Sequence, residues 1–230
     1  MKLSPFIPLC IFVLFASFRA EAEIISVANP SFEDTTNPAL TTPGAYTTYP
    51  GPGDTIPGWQ NNPYSGVQYY VTPANSPGAS YQYLTVDGVQ GAYSDNSLIE
   101  QTLSTPLEAG TYTLTIASGW RGGRNYAGGI FGLYTTDGTD LGSTDFTQPA
   151  LQETFTDTSL TVDVPVGYSK IGQDMVIEMQ GLGENGGTID FDNVRLNFTA
   201  APEPSTYALL GAGVLLLAGV GFARRRTMTA

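Results

Sequence analysis

The sequence predicts an all-β protein: one antiparallel β-sandwich between an N-terminal signal peptide and a single C-terminal transmembrane helix. Three observations predict it. From Glu23 to Thr199, short β-branched and aromatic runs alternate with Gly, Pro, Asn and Asp, and no stretch carries a convincing helical period. An apolar leader with an A-x-A site precedes this region. A second apolar run, closed by three arginines, follows it.

The leader is Met1 to Ala22. Lys2 supplies the positive end, Pro5 to Phe18 the apolar stretch, and Ala20-Glu21-Ala22 the cleavage site. Cleavage after Ala22 would remove Cys10, the one cysteine, so the mature chain would have no disulfide.

Residues 23–200 form the sandwich. Strand alternation is visible in Tyr81 to Val86, Thr111 to Ile116, Thr156 to Val164, Met175 to Met179 and Ile189 to Phe198. Asp87-Gly88 and Asp137-Gly138 are turn dipeptides that support hairpins. Seven or more such strands describe an antiparallel sandwich. Thr35 to Pro77 differs, being rich in Pro, Gly, Thr, Asn and Tyr without alternation. It reads as a long loop, a class usually functional or disordered, and its aromatics, Trp59 among them, argue against simple disorder.

Residues 201–230 are a second targeting segment. Pro202-Glu203-Pro204 precedes an apolar run over 207–223 that ends in Arg224-Arg225-Arg226. Such a helix is about 25 Å long, enough for a thin bilayer, and the arginines keep its end cytoplasmic.

Composition excludes several activities. The chain has no histidine, which removes Ser-His-Asp and Cys-His nucleophiles and imidazole metal sites. Between Glu23 and Ala201, nineteen acidic residues face only Arg121, Arg124, Lys170 and Arg195. This balance opposes nucleic acid as a partner and favours cations.

Pro-Glu-Pro, a short membrane helix and a terminal arginine cluster together resemble the PEP-CTERM sorting signal of Gram-negative bacteria. The resemblance implies export, transient inner-membrane anchoring through the C-terminal helix, and recognition of Pro202, Glu203, Pro204 and Arg224, Arg225 and Arg226 by an exosortase. It places the mature protein in the cell envelope, on the outer surface or in the extracellular matrix.

A second resemblance rests on Asn29-Pro30-Ser31-Phe32-Glu33, Ile56-Pro57-Gly58-Trp59 and Ile189-Asp190-Phe191-Asp192-Asn193-Val194-Arg195-Leu196. Leu98 to Leu103 followed by Gly110 to Leu114 fits the same pattern as paired strands. The set resembles calcium-binding, galactose-binding-like jelly rolls such as carbohydrate-binding modules. It looks most like the domain of the hapalindole-type (Stig) cyclases. That family implies a structural Ca²⁺ bridging the first and last strands, held by Glu33 and Asp192 with backbone carbonyls, a donor set that suits the ion. The other reading makes Glu33 a turn residue and Asp192 an exposed strand carboxylate. In the cyclases an aspartate of the last strand is the proposed acid in an aromatic cavity. Here that role would fall to Asp190 or Asp192, beside Tyr81, Tyr83, Trp120 and Tyr126, although a plain calcium site would contain the same D-x-D.

Tyr83, Trp120, Arg121 and Tyr126 are candidate ligand contacts, since rings and a guanidinium suit sugar stacking and hydroxyl bonding. The alternative is an arginine pair balancing local carboxylates. Asp137, Asp140 and Asp145 lack EF-hand spacing and read as a solvated hairpin. The expectation is an exported, envelope-sorted, non-catalytic protein that binds or structures surface polysaccharide and holds a structural calcium ion. The alternatives are a cyclase-like enzyme and a purely structural surface protein.

Overall fold

Each alternating run among the described residues turns its apolar side inward, and two antiparallel sheets close on the core that results. The computed structural model describes residues 22–34, 44, 46–48, 56–69, 87–183, 187–202, 211 and 213. One sheet has seven strands in the order β10 (Phe155–Val164), β7 (Gly110–Gly119), β12 (Ile189–Ala200), β5 (Gln90–Ser94), β4 (Ser65–Tyr69) and β2 (Tyr46–Thr48), with β1 (Glu23–Ile25) on β12. The other has five: β3 (Gln60–Asn61), β6 (Leu98–Pro106), β11 (Asp174–Gly181), β8 (Gly129–Thr135) and β9 (Asp140–Asp145). Leu114, Ile116 and Phe191 from the first sheet meet Ile99, Phe131 and Ile177 from the second in one buried cluster.

Two expectations change. Leu98 to Leu103 and Gly110 to Leu114 are not partners. β6 bonds to β3 and β11, whereas β7 bonds to β10 and β12. The short link between them crosses from sheet to sheet, with Leu107 fully buried at the crossing, so the two strands cover the same core from opposite sides. The segment read as a loop also contributes β2, β3 and β4, and places Ile56 and Trp59 in the core. Strands of two to five residues are too short to display a period, and Pro and Gly between them erase the rest. Tyr81 to Val86 and the leader through residue 21 lie outside the described residues. Of the 207–223 run, only Gly211 and Gly213 are described. Among the described residues, no helix is long and apolar enough to cross a membrane.

The feature that positions the site is a bulge in β12. Its register against β7 shifts between Asp192 and Arg195, and Asn193 sits there at φ 50°. One extra residue reverses the side-chain parity of the strand. Before the bulge Ile189 and Phe191 enter the core; after it Val194, Leu196 and Phe198 do. Asp190 and Asp192 therefore stand on the far face of the sheet, yet both are fully buried.

The left-handed backbone at residue 193 tolerates Asn or Gly and penalises β-branched side chains. Asn193→Val is expected to cost about 1–2 kcal/mol, and Asn193→Gly only a few tenths, as read from urea midpoints at an unchanged m-value.

Candidate functional site

Two clusters are built on β12 around its two far-face aspartates. The first is built on the bulge. Val194 N–H donates to the Pro30 carbonyl at 2.9 Å, which ties the Asn29–Glu33 turn to the last strand. That turn is bound in turn to the Pro57-Gly58-Trp59 segment. Asn29 Nδ2 donates to the Pro57 carbonyl at 2.8 Å, and Trp59 Nε1 donates to the Asn29 carbonyl at 3.1 Å. Phe32 lies against Trp59, ring centroids 5.4 Å apart. Gln101 closes the joint: its Oε1 accepts from Ala28 N–H, and its Nε2 donates to the carbonyls of Ala28 and Gly58. Gly58 holds φ 82°, which favours glycine, and a Cβ there would crowd Ala28.

The carboxylates gather around the next turn. Glu33 Oε1 accepts the N–H groups of Val89 and Gln90 at 2.7 and 2.6 Å. Asp192 Oδ2 accepts Asp87 N–H at 3.3 Å, and its Oδ1 accepts Asn193 N–H at 2.7 Å. Ser31 Oγ donates to Asp87 Oδ2 at 2.6 Å. Gly88 allows this closure: it has φ 58°, and a Cβ would fall 2.2 Å from Glu33 Oε1. Burial, opposed by the two backbone N–H donors but reinforced by the charges of Asp87 and Glu33, pushes the Asp192 carboxyl up to about 8. Among the described residues, no three Asp, Glu, His or Cys side chains are placed to hold a metal by themselves.

The second cluster lies on the same face one pair of residues along. Gly66, Tyr93, Asp190, Gly119 and Phe155 are direct partners in one row across five strands. Arg121 reaches over this row. Its Nη2 donates to Asp190 Oδ1 at 2.6 Å, and its guanidinium carbon stands 5.3 Å from the centre of the Tyr93 ring. The absence of a side chain at Gly119 leaves room for the Phe155 ring, 2.7 Å from where a Cβ would be.

Sequence-predicted residues thus divide. Glu33 and Asp192 converge on the Asp87–Gln90 turn. Both are buried or half-buried there, so the reading of Asp192 as an exposed strand carboxylate does not hold. Arg121 and Asp190 form an ion pair with the acid buried. Trp120 and Tyr126 touch edge to face at 6.4 Å; Trp120 directly follows Gly119, the strand partner of Asp190, and Tyr126 bridges to Thr188. Tyr126 packs on the core, its OH 3.4 Å from Ser118 Oγ, while Trp120 Nε1 donates to the Arg124 carbonyl within its own loop. Tyr81 and Tyr83 lie outside the described residues, as do Glu203, Pro204 and Arg224 to Arg226. Pro202 is described and exposed. Asp137 closes the β8–β9 hairpin, where Lys170 and the hydroxyls of Thr135 and Thr139 hold its carboxyl well below the usual range. Sequence reasoning missed Gln101 and Tyr93. Gln101 had a signal, a polar residue at the inward position between Ile99 and Leu103. Tyr93 had none, because only strand pairing brings it to Asp190.

A family profile described as HpiC1 cyclase, HpiC1-like, matches residues 23–197. The chain belongs to the HpiC1 cyclase-like family. A PEP-CTERM protein-sorting motif matches residues 200–226, so this family member carries a signal for export and envelope sorting by an exosortase. Among solved structures it is similar to the Stig cyclase Fisc from Fischerella sp. TAU in complex with (3Z)-3-(1-methyl-2-pyrrolidinylidene)-3H-indole. That alignment has TM-score 0.64 and 27% identity, over 79% of this chain and 100% of the cyclase. A cyclase of the same source in complex with 4-(1H-indol-3-yl)butan-2-one aligns at TM-score 0.61 and 26% identity, over 78% and 100%. No curated protein matches the sequence.

Removing one member of a buried ion pair leaves the other uncompensated. Arg121→Ala is expected to destabilise this HpiC1-like domain by about 3 kcal/mol, with Asp190→Asn in the same chain recovering most of the loss, read from chemical denaturation.

Proposed function

We propose that this chain is an exported, non-catalytic member of its family that contacts surface polysaccharide and is locked by a structural calcium ion. The pairing of Asp190 with Arg121 carries the reading. In the cyclases an aspartate of the last strand is the proposed acid, whereas here the buried carboxylate is bonded to a guanidinium that also covers Tyr93. An acid engaged in this way anchors a loop. That loop, residues 120–126, presents Arg124 and Asn125 to solvent beside the half-buried Trp120, and such groups suit sugar hydroxyls and sugar faces.

The donor set around Asp192 fits Ca²⁺. Glu33 and Asp192 would hold the ion with backbone carbonyls, all hard oxygen donors. A buried carboxyl crowded by Asp87 and Glu33 is one whose ionised form a cation would stabilise. The ion would supply that positive charge and cross-link the N-terminal turn to β12. For the chelated sandwich, adding calcium is expected to raise the thermal midpoint by about 5 °C or more. Glu33→Gln, which keeps the acceptor for Val89 and Gln90, is expected to fold and lose the response. An unchanged midpoint in the wild-type protein would sink the calcium assignment.

Polysaccharide contact is tested on a glycan array, with Trp120 fluorescence as the second readout, since Trp59 is sealed in the core. Trp120→Ala and Arg124→Ala are expected to lower binding about ten-fold each at unchanged stability. The second reading, a cyclase-like enzyme, is favoured by the family match and the 27% identity to an indole-bound cyclase. Saturable calorimetric binding of 4-(1H-indol-3-yl)butan-2-one, lost in Tyr93→Ala, would favour it over the polysaccharide reading.

A further inference from the structure

Where β12 ends, the seven-stranded sheet carries a groove of about 550 Å³. Thr111, Asp163, Val164, Pro165 and Thr199 line it, and so does Pro202, the first residue of the Pro-Glu-Pro motif. Pairing persists almost to that residue. Ala200 is still opposite Gly110 in the β12–β7 ladder, and Ala201 N–H donates to the Ala109 carbonyl at 2.9 Å. Proline has no N–H to extend the ladder, so the paired end of β12 adjoins the sorting motif directly.

Chain reach then limits how the motif is gripped. Three extended residues, 202 to 204, span only about 10 Å. An enzyme that encloses them cannot keep its surface away from the folded domain. We propose that this groove is the seat of the sorting enzyme, so that the end of the sandwich is part of what is recognised. The proposal rests on the exosortase-sorting reading and deepens it.

The surface has matching chemistry. Val164, Pro165, Ala200 and Ala201 give it apolar walls, and Val166, beside Pro165, is 58% exposed. Asp163, exposed and held by Thr111 Oγ1 at 2.7 Å, places a fixed acceptor at the rim. The partner surface is an apolar projection of the membrane-embedded enzyme with a donor or cation opposite Asp163.

The test uses the full chain produced with its sorting enzyme, following conversion of precursor to the cut form on gels of membrane fractions. Asp163→Arg and Pro165→Glu alter exposed positions, and protease resistance of the sandwich in the same fractions reports folding. Each is expected to slow conversion about ten-fold while the sandwich stays resistant. A Gly/Ser spacer of about eight residues between Ala201 and Pro202 separates the motif from the groove, and is expected to slow the otherwise wild-type chain to about the rate of the two variants, with no further slowing when combined with either. Variants cut at the wild-type rate overturn the proposal, and so does a spacer chain cut at the wild-type rate. A wild-type chain left uncut overturns the sorting reading and this proposal with it.

Discussion

The joint between the bulge in β12 and the N-terminal turn governs the rest of the molecule. One inserted residue, Asn193, reverses the parity of the last strand and puts Asp190 and Asp192 on the face away from the core. The same bulge frees the Val194 N–H to bind Pro30, so the first turn of the domain is fastened to its last strand. Everything chemically distinctive follows from that placement. Asp192 is enclosed by the Asp87–Gln90 turn, Asp190 by Arg121 and Tyr93, and Gln101 satisfies three backbone groups where strand and turn meet. Without the bulge, strict alternation would put Val194, Leu196 and Phe198 on the same face as Asp190 and Asp192. Either the three apolar side chains would then leave the core or the two carboxylates would enter it.

Two aspartates two residues apart meet different fates because their neighbours differ. Asp190 stands opposite Tyr93 and Gly119, and this open row lets Arg121 reach across to it. Asp192 is met by backbone N–H groups and by two other carboxylates, and its burial among them raises its proton affinity, whereas Asp190 is given a counter-charge. An arginine on the first explains why that position does not present itself as a free acid. At the second, burial and the neighbouring carboxylates of Asp87 and Glu33 raise the cost of ionisation. The counter-charge on Asp190 comes from loop 120–126, which delivers Arg121, and not from the strand that carries the aspartates.

Much of the fold was legible in the sequence. The alternation in Thr111 to Ile116, Thr156 to Val164, Met175 to Met179 and Ile189 to Phe198 falls on β7, β10, β11 and β12. The three motifs that carried the family resemblance, near Asn29, Trp59 and Asp192, prove to be a single contact, which explains their joint occurrence: each satisfies polar groups of another. What stayed hidden depends on partners distant in sequence. The short strands β2, β3 and β4 have no period of their own, and their pairing with β5 and β6 fixes them. Arg121 was legible as a surface cation of an aromatic loop, but its bond to Asp190, sixty-nine positions away, is set by register alone. Trp120 and Tyr126, grouped by proximity in sequence, stay in ring contact, while the loop that leaves the end of β7 turns the Trp120 N–H to its own backbone and packs Tyr126 on the core.

The domain must hold this arrangement without disulfides, since the one cysteine, Cys10, precedes it. A net charge of -12 adds self-repulsion to the folded state. The structure meets both demands by concentrating its closures where the domain begins and ends. β1 pairs with β12, the Asn29–Glu33 turn clasps the bulge, and Ala201 is still bonded to Ala109. Both ends of the domain are thereby stitched to one strand. A domain whose final strand is paired up to the residue before Pro202 resists fraying from its C-terminus, and any pull on the tail is borne by the β12 ladder in shear along its length. The tight junction that stabilises the exported domain is thus also what brings its folded surface within reach of whatever holds the tail.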